Sequence, residues 1–292
     1  MQQFLDTTLG GLVLGAVYAA FALALCLIWR STRIVNFAQA AMAMVTTYIA
    51  LSLINVDVPY WVAFLAAIAA GFMLGALIER LIIRPVEGKA DLNAVILTLG
   101  LFMVLHGLTA LVFGVQHRGF PAPVSTSAIS VGDTSIGITP FGIVTIVVVA
   151  VVMAGLVVLF RFTDLGLRMR ASAFNGEVSR LLGVRVGRML TLGWALAAAV
   201  GAVAGMLIAG GDLVNPAFMD PFVIYGFIAA VLGGLDSPIG SVIGGLILGL
   251  SLSYVTGYVG EHLAPLVALG ILMLVLLVRP SGLFAAAAAR RV

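Results

Sequence analysis

The sequence predicts an all-α fold: a polytopic bundle of transmembrane helices with eight or nine membrane segments, one of them short enough to be broken or re-entrant. Three observations carry this. Of 292 residues, 62% are apolar and only 9% are charged, against about 25% charged in an ordinary soluble domain. The apolar residues come in runs near the ~20 residues that a helix needs to cross a bilayer, parted by short polar breaks. The basic residues gather in alternate breaks. A soluble enzyme of this composition would need polar outward faces, and long stretches here have none.

The elements follow in order. MQQFLDTT has no basic region ahead of the first apolar run, so it lacks the charge pattern of a cleavable signal, and the span at 9–29 is expected to be retained. Cys26 lies inside it. As the single cysteine, it excludes a disulfide or a cysteine metal site within the chain. Further spans are expected near 36–54, 60–83, 92–113, 139–160, 189–210, 222–235, 239–256 and 262–279. The piece at 222–235 is too short to cross alone. It reads as a tilted half-helix, a re-entrant piece, or part of one broken element with its neighbours, and the choice between eight and nine turns on it.

Nine crossings sort the charges. Arg30, Arg33, Arg80, Arg84, Lys89, the six arginines of 161–188, Arg279, Arg290 and Arg291 fall on one side, and Arg118 alone falls opposite. The opposite side carries Asp6, Asp57, Asp133, Asp212, Asp220 and Glu261. Lys and Arg accumulate on the cytoplasmic side of membrane proteins. The N-terminus is therefore expected outside, the C-terminus and the 161–188 loop inside, and the Gly-, Pro- and Ser-rich loop at 114–138 outside. That loop reads either as a plain connector or as a contact face.

The interior is rich in small residues, with 34 glycines in all. GGLVLGAVYA (10–19) and GGLDSPIGSVIGGLILG (233–249) have the close spacing that lets membrane helices approach. Polar residues within the spans are few: Asn36 and Gln39 at the start of the second, Asn93 and His106 in or near the fourth. Glu79, Glu87 and Asp91 flank basic residues near the cytoplasmic surface, where solvation or pairing is easy, and no carboxylate is placed deep in a span. Proton-driven carriers keep ionisable groups inside, so this argues against one, while sodium coupling through backbone carbonyls stays open. No HExxH, GxSxG, GxGxxG or P-loop pattern occurs. The chain shows no catalytic pair and no nucleotide-binding machinery. No metal or cofactor is expected in it, nor is nucleic acid among its expected partners, and energy supplied from outside the chain stands as the alternative to sodium coupling.

Two stretches are candidates for function. In GGDLVNPAFMDPF (210–222), Gly210 and Gly211 can end a helix, and Pro216 and Pro221 disfavour helix before them. Broken helices expose backbone groups that hold charged or zwitterionic ligands. The stretch is either an ordinary outer turn or a substrate contact through Asn215 and Pro216, with Asn36 a further candidate for the substrate path. In RFTDLGLRMRASAFNGEVSRLLGVRVGR (161–188), Asn175 is placed as an N-cap and Glu177 falls in the first turn. Val178, Leu181 and Leu182 share a face, and Gly183 is a natural stop. A helix of about two turns is marginal alone in water. It needs either anionic headgroups beneath it or a socket on a cytoplasmic partner.

LGGLVLGAVYAAFAL (9–23), IVNFAQ (34–39), IERLIIRPVEG (78–88), GLRMRASAFNGEVSRLLGV (166–184), NPAF (215–218), FIAAVLGGLDSPIGSVIGGLILG (227–249) and RPSGLF (279–284) occur in this order along nearly the whole chain. On these stretches the chain resembles the membrane permease subunits of ABC importers for branched-chain amino acids. The resemblance implies one permease domain over 1–292, with Asn175, Glu177, Val178, Leu181, Leu182 and Gly183 in a loop that docks on an ATPase. It implies as partners a second, related permease, two cytoplasmic ATPases that use ATP, and an extracytoplasmic binding protein delivering leucine, isoleucine or valine, with membrane lipids around them. The broader family also serves urea, short amides and other amino acids. A stand-alone secondary carrier or channel, and a structural scaffold, are the competing readings. Two positions depart from the family pattern: Ala40 and Asp236 stand where glycine is usual, and they leave open a shifted substrate range.

Overall fold

The computed structural model describes residues 2–86, 91–131 and 134–284. Glu87, Lys89, Asp133, Arg290 and Arg291, used above for orientation, lie outside them. The helices in chain order are α1 (Gln2–Thr32), α2 (Gln39–Ile54), α3 (Tyr60–Ile78), α4 (Asp91–Phe113), α5 (Pro140–Phe162), α6 (Asp164–Phe174), α7 (Gly176–Leu181), α8 (Val186–Ala209), α9 (Asp220–Gly233), α10 (Pro238–Tyr258) and α11 (Ala264–Val278). Among the described residues, seven stretches are long and apolar enough to cross a membrane: α1, α3 with its continuation to Val86, α4, α5, α8, α10, and α11 with the turn before it. The apolar helices α2 and α9, of 16 and 14 residues, are shorter.

α1 and α8 form the centre and bury most of their length. The glycines explain how. α10 runs antiparallel to α1: a methyl added to Gly11 would fall 3.1 Å from Leu250 Cα, and one on Gly15 would fall 2.9 Å from Leu246 Cα. α3 meets α8 the same way, with Gly71 against the Ala198 carbonyl at 2.9 Å. Water offers no hydrophobic drive within a bilayer, so this close backbone approach is what holds the helices together.

α2 does not start where the apolar run starts. α1 ends in the left-handed residue Arg33, and residues 33–38 are unwound. Gln39, the first residue of α2, donates from Nε2 to the Ala197 carbonyl at 3.0 Å. Arg84, at the far end of α3, reaches Gly187, ten residues earlier on α8. At 1.5 Å per residue, α2 begins about 15 Å deeper in the bundle than Arg84. The expected second span is thus a short helix entered by a partly buried, non-helical segment in which Asn36 and Ala38 are buried. The hydropathy of 36–54 conceals this, because the unwound residues Val35, Phe37 and Ala38 are themselves apolar.

The bundle has two distinct ends. Arg30, Arg33, Arg80, Arg84, Arg279 and the segment 161–188 all lie at one, called here the basic end, and Arg118 lies at the other. The loop at 114–138 holds short strands. β1 (Arg118–Gly119) pairs with β4 (Leu213–Val214), and β2 (Ile129–Val131) pairs with β3 (Thr134–Ile136), both antiparallel. The first pair ties this loop to the turn between α8 and α9.

Candidate functional site

The segment at the basic end is built by successive caps. Thr163 ends α5 and opens α6: its Oγ1 accepts from Gly166 N at 3.1 Å. Asn175 ends α6 and opens α7, with Oδ1 accepting from Val178 N at 3.0 Å. That cap satisfies one of the helix's unpaired N–H groups. Gly183, at φ +82°, closes the other end, and Val184 N returns to the Ser179 carbonyl at 2.9 Å. Only a residue without a side chain takes this backbone geometry cheaply. The expected caps are therefore both present. α6, eleven residues folded back along α5, was not expected. Its signal was legible as Thr163–Asp164 followed by the turn at Gly166, but its charged residues masked it.

α7 presents Leu181 and Leu182, 87% and 78% exposed, with Val178 half exposed and Phe174 exposed just before them. Ser179 faces inward and is buried. Fully burying a leucine is worth about 1.5–3 kcal/mol, and this apolar knob leaves that unclaimed. Glu177 and Arg180 are exposed beside it.

Against the first turns of α8, the helix that follows α7, lies a buried polar knot that sequence reading placed at the surface. Glu79 opens a π-helical turn (Glu79–Ile83) at the end of α3 and is 1% exposed. Arg84 Nη2 donates to Glu79 Oε2 at 2.9 Å, to the Gly187 carbonyl at 2.8 Å and to Thr191 Oγ1 at 2.7 Å. Thr191 Oγ1 in turn donates to Glu79 Oε2 at 2.7 Å. The expected pairing with a basic residue is present; solvation of Glu79 is not. The spacing Glu79–Arg84 in IERLIIR does not match the i, i+4 rule for an α-helix, and the π turn is what brings the pair together.

The three residues expected on the substrate path are not together. Asn36 is 2% exposed, in the unwound entry to α2. Its Oδ1 accepts from Ala38 N at 3.0 Å and its Nδ2 donates to Gln39 Oε1 at 3.2 Å, so it shapes that turn. Asn215 and Pro216 lie at the opposite end, between β4 and α9. Asn215 Oδ1 accepts from Ala217 N at 2.9 Å, and its Nδ2 lies 3.0 Å from His117 Nε2. Nearby, His106 Nε2 meets Asp220 Oδ1 at 3.0 Å, joining α4 to α9. At this end a cavity of about 680 Å³ opens between α1, α8, α9 and α10, with Asp6, Thr7, Ser253 and Thr256 on its polar side and Val13, Val17 and Phe222 among its apolar walls. Sequence reading did not find it, because its residues come from five separate segments.

The two departures have simple surroundings. Ala40 is fully buried in the first turn of α2. Asp236, in the turn between α9 and α10, forms an ion pair with Arg33 at the end of α1, so its charge is compensated.

Comparison with known proteins accords with these observations. The family model described as branched-chain amino acid transport system / permease component matches residues 7–277. The chain is 30% identical to the high-affinity branched-chain amino acid transport system permease protein LivH of Salmonella typhimurium, over 96% of this chain and 95% of that one. It is likewise 30% identical to the BraD permease protein of the same description from Pseudomonas aeruginosa, again over 96% and 95%. Against the probable LivH of Methanocaldococcus jannaschii the identity is 27%, over 94% and 90%. Among solved structures it is similar to a chain of PsaBC from Streptococcus pneumoniae in complex with Fab, at a TM-score of 0.49 and 18% identity over 96% and 93% of the two chains. The matched proteins are transport permeases, not enzymes. The chain belongs to the branched-chain amino acid transport permease family.

Proposed function

We propose that the chain is one of two permeases in a binding-protein-dependent ABC importer that brings leucine, isoleucine or valine into the cytoplasm. Membership of the family and the names of its relatives support the substrate class. In this reading α1–α5 and α8–α11 make nine passages, two of them short. The N-terminus is outside, and the basic end faces the cytoplasm as the positive-inside rule requires. An extracytoplasmic binding protein delivers substrate at the end that holds Asn215, Pro216 and the outer cavity. A related permease completes the pore, and two ATPases power it.

The observation that carries the reading is the exposed apolar knob on a doubly capped helix outside the bilayer. Asn175, Glu177 and Gly183 fix the helix, and Val178, Leu181 and Leu182 enter a socket on the ATPase. Movement there reaches the bundle through α8, whose first turns bind Arg84 and Glu79. Leu181→Asp places a carboxylate in a contact made for an alkyl group. The loss of a packed leucine alone costs about 2–5 kcal/mol, and about 1.4 kcal/mol is already tenfold in affinity. The variant is expected to insert and to pair with the second permease, while co-purification of the ATPase and leucine-stimulated ATP hydrolysis both fall more than tenfold. Undiminished co-purification would remove α7 from the coupling interface.

A further inference from the structure

At the basic end, an apolar cavity of about 270 Å³ opens between α1, α5, α6 and α10. Leu27, Leu156, Phe160 and Val242 are among its walls, and Arg30, Arg161 and Arg170 stand around it. Among the described residues, none of the three arginines is paired with a carboxylate. Arg30 is held with its guanidinium 5.7 Å from the Phe160 ring centroid. Arg170 uses only its Nε, towards the Gly166 carbonyl at 3.4 Å. A smaller pocket shares Leu27, Arg30, Phe160 and Arg170 with the first, and Ser172 is part of its wall. Ser172 is 7% exposed, and its Oγ is buried without a hydrogen-bond partner. Buried hydroxyls are nearly always paired, so an orphan one in a pocket shared with Arg30 and Arg170 leaves a donor for an acceptor that those two cations would also attract.

We propose that this is a binding site for one anionic phospholipid, with an acyl chain in the apolar cavity and the phosphate held by Arg30, Arg161 and Arg170, within reach of Ser172. The chemistry asks for hydrocarbon and negative charge in a single ligand, at the depth where helices leave the bilayer. A basic pocket between helix ends at an anionic leaflet meets such a lipid directly. The occupant would bear on α6 from one side, and α6 leads through Asn175 into α7. A bound lipid would thus brace the segment that carries the exposed knob. The inference does not depend on the transported substrate.

The test uses the purified complex with its partner subunits, titrated with phosphatidylglycerol or phosphatidylcholine and read by native mass spectrometry. Wild type is expected to retain phosphatidylglycerol in preference to phosphatidylcholine. Each cation near an anionic headgroup is worth roughly fivefold, so Arg30→Gln with Arg170→Gln is expected to weaken retention about thirtyfold. Arg161→Gln alone, at an exposed position, is expected to weaken it about fivefold, and covers the case in which the double variant does not assemble. Arg168→Gln, in the same segment but not on the cavity, is expected to change nothing. Equal retention of the two lipids overturns the site, as does an equal loss in Arg168→Gln, which would mean diffuse surface charge. So does efficient cross-linking of Val157→Cys, in a Cys26→Ser background, to the second permease, because the cavity would then be a subunit contact.

Discussion

Glu79 is the residue whose environment differs most from its sequence context. IERLIIRPVEG reads as a charged margin where a helix leaves the membrane, yet Glu79 is almost wholly buried and shares a knot with Arg84 and Thr191. Removing one partner of a buried pair strands the other charge, which typically costs about 3–5 kcal/mol. Arg84 is 37% exposed at its side chain, so the lower end of that range applies. Arg84→Met is therefore expected to lower stability by about 3 kcal/mol, seen as a clear drop in the thermal inactivation midpoint of the detergent-solubilised protein. The double variant Glu79→Leu with Arg84→Met is expected to recover most of the loss. If Arg84→Met and the double variant are equally impaired, the knot is not an energetic unit.

At the scale of elements, small residues decide which helices touch. Gly15 faces Leu246, and the neighbouring turn of α10 packs as closely on α1. A leucine at Gly15 has no space to enter without parting two backbones. Gly15→Leu should leave insertion intact but yield a protease-sensitive, poorly recovered bundle, whereas Gly155→Leu, on the open face of α5 with nothing within 4 Å, should behave as wild type. Equal recovery of the two would contradict the packing described. Much of this was legible beforehand. The glycine spacings marked the close faces, the apolar runs located the seven stretches long and apolar enough to cross a membrane, with α1 longer than its run, and Asn175 and Gly183 gave the ends of α7. What stayed hidden needs three dimensions. The unwound entry to α2 is apolar and so reads as helix. The pair Glu79–Arg84 needs a π turn that no pattern announces. The cavity opposite the basic end joins Asp6 to Thr256 across most of the chain length.

For the whole molecule, the separation of charge between the ends is the organising fact. Every described arginine except Arg118 sits in the segments of the basic end, and the proposed orientation puts that end in the cytoplasm. Single cysteines at Arg180 (on α7) and Ala128 (in the opposite loop) test it in a Cys26→Ser background. Serine suits Cys26, whose Sγ donates to the Leu235 carbonyl at 3.1 Å. An impermeant thiol reagent added to intact cells should label Ala128→Cys and spare Arg180→Cys. The reverse pattern would invert the protein in the membrane, and with it the side on which α7 meets any partner.

The central position of α1 also bears on how the protein is made. Its glycine face is completed by α10, which follows more than 200 residues later in the chain. At about 5–20 residues per second of synthesis, that is an interval of roughly 10–40 seconds. During it, the helix destined for the middle of the bundle has only lipid or the insertion machinery against its most closely packed side. α1 thus meets the partner of its glycine face long after it is made, and biogenesis has to shelter that face until the translated chain catches up.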